Sequence, residues 1–307
     1  MEQRKKLILL AGPTCSGKSQ LAIKIAQHLN GEIINADSMQ IYKEICILNS
    51  APTEEEKKNI KHHLYGFNSV KQKFSTGHWL KMVQEKIQEQ WNNNKVPVIV
   101  GGTGLYFKAL TDGLVKIPEI PTDVRSKTRQ LHKEIGQEKF FNKLIHLDPL
   151  VKNSILSSDT QRTMRAYEVI KFTNKSLFEF IKDTKSNFNK NIFKKLFINT
   201  PKLLLDKKIK NRVEQMFSDG AIKEVEKFVK MNTYYELSAN KIIGIREIKN
   251  YLAGKSTLLE TKDLITKKTR QYAKRQFTWA RGHMKSWEKI YSSNINDLLK
   301  IVINKIS

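Results

Sequence analysis

The 307 residues include only two cysteines, Cys15 and Cys46, too few for a disulfide framework or an all-cysteine zinc site. Long apolar runs are missing as well. No stretch approaches the roughly 20 residues needed to span a bilayer, and the early run Leu7 to Ala11 is short, so no membrane segment is expected. Only Met1 to Lys6 precede that run, which leaves no room for a signal or transit peptide and makes the cytoplasm the expected compartment. Carboxylates are also scarce: 30 Asp and Glu stand against 55 Lys and Arg, for a formal net charge of +25. A solvated lysine-rich surface is the plain explanation. Phosphate neutralisation is the commonest physical use of such an excess, and it points to nucleic acid as a partner.

With 39% hydrophobic residues the chain can bury a proper core, and its length suggests two domains or one with a large insertion. Leu7 to Ala11 ends at Gly12 and Pro13, as a buried parallel strand meeting a turn should. Leu21, Ala22, Ile25, Ala26 and Leu29 then recur at helical spacing until Asn30 and Gly31. Further strands are expected at Glu32 to Ala36, Val96 to Val100 and Leu196 to Asn199. The positions Trp79, Val83, Ile87 and Trp91 mark a helix packed on the sheet. Such alternation predicts an α/β fold with right-handed crossovers and a parallel sheet. After Pro118 and Pro121 the strand signal stops. We expect a P-loop NTPase-like core over 1–117 and 193–307, and an inserted all-helical domain over 118–192. Later helices are expected near Leu205 to Met231, Asn240 to Leu252 and Lys262 to Lys285.

Gly12-Pro13-Thr14-Cys15-Ser16-Gly17-Lys18-Ser19 satisfies G-x-x-x-x-G-K-[ST] between a strand and a helix. Its glycines let successive amides turn inward, and the helix dipole adds positive potential, which makes a cradle for a diphosphate or larger group. Lys18 would neutralise phosphate oxygens and Ser19 would offer a hydroxyl to Mg²⁺. Cys15 reads as no more than a small loop residue. The strand at Val98 to Val100 runs into Gly101 and Gly102 and carries no Walker-B acid. The nearest acid is Asp37, after the second strand, at the sheet edge where ligands bind in open α/β folds. A helix N-cap or a structural carboxylate is the plainer role for Asp37.

Seven ordered blocks carry a resemblance. They are the loop above, Asn35-Ala36-Asp37-Ser38-Met39-Gln40-Ile41-Tyr42, His62-His63-Leu64, Gly101-Gly102-Thr103-Gly104-Leu105-Tyr106, Gln161-Arg162-Thr163-Met164-Arg165-Ala166-Tyr167-Glu168-Val169, Ile243-Gly244-Ile245-Arg246-Glu247, and Gln271-Tyr272-Ala273-Lys274-Arg275-Gln276-Phe277-Thr278-Trp279-Ala280-Arg281. Together they resemble the tRNA dimethylallyltransferase family over essentially the whole chain. Tyr65-Gly66-Phe67 departs from the family, which usually has an acidic stretch there.

The resemblance implies transfer of a dimethylallyl group from its diphosphate to N6 of the adenosine 3′ of the anticodon, in tRNAs that read U-initial codons. It implies Asp37 as the base and Thr103 as an orienting group. Gly12 to Ser19 and Arg212 would hold the diphosphate with Mg²⁺. Ser38, Met39 and Gln40 fall in the adenosine-recognition segment. Arg125, Gln161, Arg162, Arg165, Lys241, Gly244, Arg246, Lys274 and Arg281 are implied as contacts to the tRNA anticodon stem-loop, and a monomer is expected.

A carboxylate is too weak a base to strip a neutral aromatic amine beforehand, but it can take the proton as positive charge builds on nitrogen. From pattern alone, Lys262 to Lys289 holds nine basic and two acidic residues. Lys267, Arg270, Lys274, Arg281 and Lys285 fall on one helical face, and Ala273, Phe277, Ala280 and Met284 on another. His62 and His63 read as structural, since adjacent histidines are poorly placed to share an ion. The rival readings are an ATP-dependent small-molecule kinase, an RNA-binding P-loop switch, and an enzyme prenylating free adenine nucleotides.

Overall fold

The structure, a computed structural model, describes residues 5–234, 236–291 and 294–306. The first four residues, part of the argument against a leader, lie outside these. Strand β1, Leu7–Ala11, is buried at every position and has neighbours on both edges. The other strands are β2 (Gly31–Asn35), β3 (His62–His63), β4 (Val96–Gly101), β5 (Phe193–Ile198) and β6 (Glu288–Ile290). They form one wholly parallel sheet in the order β3-β2-β4-β1-β5-β6, as the alternating pattern predicts. Pairs and triplets such as β3 and β6 carry no periodicity, so both strands escape sequence reasoning. His63 sits on β3, buried, with its Nε2 2.6 Å from Glu32 Oε2, which bears out the structural reading.

Because strand side chains alternate, β1 sends Leu7 and Leu9 to one face and Ile8 and Leu10 to the other. The first face is covered by α3 (Thr76–Asn92) and α4 (Gly104–Asp112) through Trp79, Val83, Ile87, Phe107 and Leu110. The second is covered by α1 (Lys18–His28) and α12 (Ile295–Ile306) through Leu21, Ile25, Leu298 and Val302. Each such burial is worth about 1.5–3 kcal/mol, which fixes the sheet between two helical layers. A third core gathers α8 (Lys202–Ser218), α9 (Ala221–Lys230), α10 (Ile245–Leu252) and α11 (Leu258–His283) around Ile41, Tyr42 and Leu48. The stretch expected as Leu205 to Met231 is thus two helices, parted at Gly220, whose φ of 99° a helix interior does not tolerate. Helix α11 begins before the expected Lys262, because Thr257 and Glu260 form a capping box, and it ends at His283 rather than Lys285.

The chain divides into two compact units, Met1–Thr111 with Phe188–Ser307, and Asp112–Asn187. The first carries the sheet. In the second, the described helices are α5 (Thr122–Leu147), which kinks at Gly136, α6 (Thr160–Thr173) and α7 (Leu177–Lys182). They close over Phe140, Leu144, Val151, Ala166 and Tyr167. The two ends of this unit meet where a Cβ on Gly113 would lie 2.4 Å from the Lys185 carbonyl oxygen. Pro121, one of the expected boundary markers, is the residue that starts α5.

Candidate active site

All strands point the same way, so the segments leaving β1, β2 and β4 converge at one edge of the sheet. The first is the glycine-rich loop. Gly17 takes φ 88° as it caps α1, whose first turn holds no acidic residue, so the positive end of the helix is uncompensated. A Cβ on Gly12 would come 2.9 Å from Ser16 Oγ. Thr14 donates its amide to Gln276 Oε1 at 2.8 Å, and its hydroxyl accepts from Arg212 Nη1 at 2.7 Å. Arg212 also lies 3.5 Å from Cys15 Sγ. Lys18 Nζ reaches the Pro13 carbonyl at 3.3 Å. Burial pushes the Lys18 ammonium below the ordinary lysine range, Asp37 opposes that shift, and Arg212 adds to it.

Asp37 follows β2 in a turn made by Asn35, whose Oδ1 accepts from the Asp37 amide at 2.7 Å. The Asp37 carboxylate accepts the Met39 amide through Oδ1 at 3.0 Å. The β4 segment locks onto this turn. Gly101 is forced, since a Cβ there would stand 2.1 Å from the Ala36 carbonyl oxygen. The Thr103 amide donates to Ala36, and its hydroxyl accepts from Ser38 N at 2.9 Å and donates to Ser38 Oγ at 3.2 Å. Tyr65, Tyr106 and Tyr272 are each raised out of the ordinary tyrosine range, first by burial and then by the Asp37 charge, and so remain hydrogen-bond donors. Tyr65 belongs to the segment that departs from the family.

These segments line one cleft of about 800 Å³. Of the residues singled out above, Thr14, Cys15, Gly17, Lys18, Ser19, Asp37, Ser38, Met39, Gln40, Thr103, Arg212 and Lys241 line it. Gly12, Pro13 and Ser16 are buried in the loop, and Gly244 is buried against Leu48. Arg246, Lys274 and Arg281 are exposed on α10 and α11 and are not lining residues. In the second unit Arg125 and Gln161 are exposed, Arg162 pairs with Asp159 at 3.4 Å, and Arg165 with Glu168 at 3.5 Å.

The basic face of α11 is exposed at Lys267, Arg270, Lys274 and Arg281, and Ala273 and Ala280 are buried, as the spacing predicts. A third stripe of the same helix faces the cleft, Ile265, Thr269, Tyr272, Gln276 and Trp279 at spacings of four and three; its last three residues stand in the final block of the resemblance, but none was given a role. Its mixed chemistry hides it from a hydrophobic or charge count, although the helical period would have found it. Gln276 bridges two segments, accepting from Thr14 N and donating to the Gly102 carbonyl at 3.0 Å. Arg275, in the same block, also lines the cleft, and Lys208, which stands in none of the seven blocks, was missed. The lining also includes the apolar Leu48, Val213, Met216, Ile242 and Ile243.

Fold and site together define a parallel α/β protein with a glycine-rich loop of phosphate-binding pattern after β1 and a carboxylate after β2, on the far side of β4. A family model described as IPP transferase matches residues 40–283. A tRNA dimethylallyltransferase of Pelagibacter ubique is 50% identical over 98% of this chain and 96% of its own length, and one of Rickettsia bellii is 43% identical over 97% and 95%. Among solved structures, a tRNA isopentenylpyrophosphate transferase of Bacillus halodurans matches with a TM-score of 0.70 and 28% identity, covering 98% of this chain and 97% of that one. A eukaryotic dimethylallyltransferase acting on tRNA matches at 0.78 and 28% over 90% and 70%. The chain belongs to the IPP transferase family, and its Pelagibacter and Rickettsia relatives are tRNA dimethylallyltransferases; it is a transferase, and this family membership displaces the kinase and switch readings.

Proposed function

We propose that this protein transfers a dimethylallyl group from dimethylallyl diphosphate to N6 of the adenosine 3′-adjacent to the anticodon, in tRNAs reading U-initial codons. One observation carries the reading: the glycine-rich loop and Asp37 line the same cleft, together with the apolar side chains of Leu48, Val213, Met216, Ile242 and Ile243. The loop amides, Lys18 and Arg212 take the diphosphate, and Leu48, Val213 and Ile242 receive the isoprenyl tail. The named relatives support tRNA as acceptor over a free nucleotide.

In the reaction the allylic C–O bond breaks, the N6–C bond forms, and diphosphate leaves with the bonding pair. Cation character grows on carbon and negative charge on the leaving group, so most of the help is electrostatic and comes from fixed donors. Oδ1 of Asp37 already accepts the Met39 amide, so Oδ2 is the oxygen assigned the N6 proton. The adenine must leave its stack to reach it, at a cost of about a few kcal/mol that contacts elsewhere on the RNA offset. Mg²⁺ fits the donor set, since Ser19, which lines the cleft beside Lys18, carries a hydroxyl oxygen of the kind this ion takes, with diphosphate oxygens and water as the further ligands it would need. When bound, the ion supplies charge neutralisation for the leaving group.

The test is incubation with Mg²⁺, dimethylallyl diphosphate and unmodified tRNA, followed by mass spectrometry of the nucleosides. A dimethylallyl adduct on one adenosine is expected. Its absence, with adduct found instead on free adenine nucleotides, would overturn the acceptor assignment.

A further inference from the structure

No motif draws attention to Glu224, on α9. Its carboxylate nevertheless accepts three consecutive backbone amides: Oε1 takes Cys46 N at 2.6 Å and Ile47 N at 2.8 Å, and Oε2 takes Leu48 N at 3.0 Å. Convergent amides of this kind form an anion nest, the device that the glycine-rich loop offers to phosphate, here filled by the protein's own side chain. The captured loop is a wall of the cleft, lined by Leu48, Asn49 and Ser50. Leu48 closes over Gly244, where a Cβ would lie 2.6 Å from its Cδ2.

The hydrogen bonds continue toward the acid. Asn49 Nδ2 donates to the Met39 carbonyl at 3.0 Å, and Gln40 Nε2 donates to the carbonyls of Asn49 and Ser50 at 2.9 and 2.7 Å. Met39 in turn donates its amide to Asp37. Cys46 is exposed and Ile47 half-buried, so water could satisfy their amides as far as folding is concerned. A carboxylate supplies what water cannot, a fixed position. We propose that Glu224 is a positioning residue for prenyl transfer: by holding 46–48 it fixes the wall against which the acceptor base is presented and the turn that aims Asp37. This rests on the functional reading above.

Glu224→Gln keeps the shape but turns an amide NH₂ toward amide donors. The variant is expected to raise KM for an anticodon stem-loop about tenfold or more and to lower kcat, with KM for dimethylallyl diphosphate within about twofold. Hydrogen exchange at 46–48 should quicken in the same variant, and the exposed Glu226→Gln should behave as wild type. Should the glutamine variant not fold, Glu224→Asp, one methylene short, is expected to raise KM for RNA about threefold. Unchanged RNA kinetics in either folded variant, or diphosphate KM rising in step with RNA KM, would overturn the inference. A wild-type protein that prenylates no RNA would sink the functional reading itself, and that result is distinct from a competent wild type beside an unimpaired variant.

Discussion

Lys18 sits at a conflict between burial and charge. Burial lowers its pKa, Asp37 opposes this, and Arg212 adds to it. With its folded value below the unfolded one, the cost of burying the ammonium weighs at neutral pH and is relieved as pH climbs through the folded and then the unfolded value. Affinity for an anion moves the other way, because the ammonium is lost below the ordinary lysine range. Binding of inorganic diphosphate should therefore weaken on the alkaline side earlier than an ordinary lysine would dictate. Lys18→Arg, which stays charged, should flatten that limb. Titration calorimetry across pH decides the matter, and identical profiles would mean that Lys18 does not face the diphosphate. A second residue-scale test is Gly101→Ala. The added Cβ meets the Ala36 backbone at 2.1 Å, which cannot swing aside, so a loss of about 1–3 kcal/mol by thermal unfolding is expected.

At the scale of the element, α11 does three jobs with three faces. Ala273 and Ala280 pack, Tyr272, Gln276 and Trp279 line the cleft, and Lys274 and Arg281 remain in solvent. Replacing Gln276 with Leu strands the buried Thr14 amide, at a cost of roughly 1–3 kcal/mol. Weaker diphosphate binding is expected with it, because Thr14 belongs to the loop. The double variant Lys274→Ala with Arg281→Ala should reduce the slope of log affinity for tRNA against log salt by roughly 1.5, on the scale of 0.7–0.9 per phosphate contact. An unaltered slope would mean that this exposed face meets no phosphate.

For the molecule as a whole, the sheet was legible because β1, β2, β4 and β5 are apolar runs next to glycine or helical periods. Asp37, the acid in the cleft, was legible because it follows one of those strands. What stayed hidden was set by contacts distant in sequence. The Glu224 nest spans α9 and residues 46–48, the Gln276 bridge spans α11 and the phosphate loop, and strands β3 and β6 are defined only by their neighbours. No described helix is long and apolar enough to cross a membrane. The excess of positive charge is spread over a transferase whose proposed acceptor is a polyanion, and on that proposal its use is steering and phosphate contact rather than chemistry.

The proposed chemistry turns on Asp37. Single-turnover prenylation of an anticodon stem-loop, compared between wild type and Asp37→Asn with dimethylallyl diphosphate saturating, isolates its role. The asparagine can still accept the Met39 amide but cannot take a proton. The rate should fall by roughly 10²–10⁴-fold while RNA affinity stays within a few fold. A variant that turns over at the wild-type rate would contradict the account.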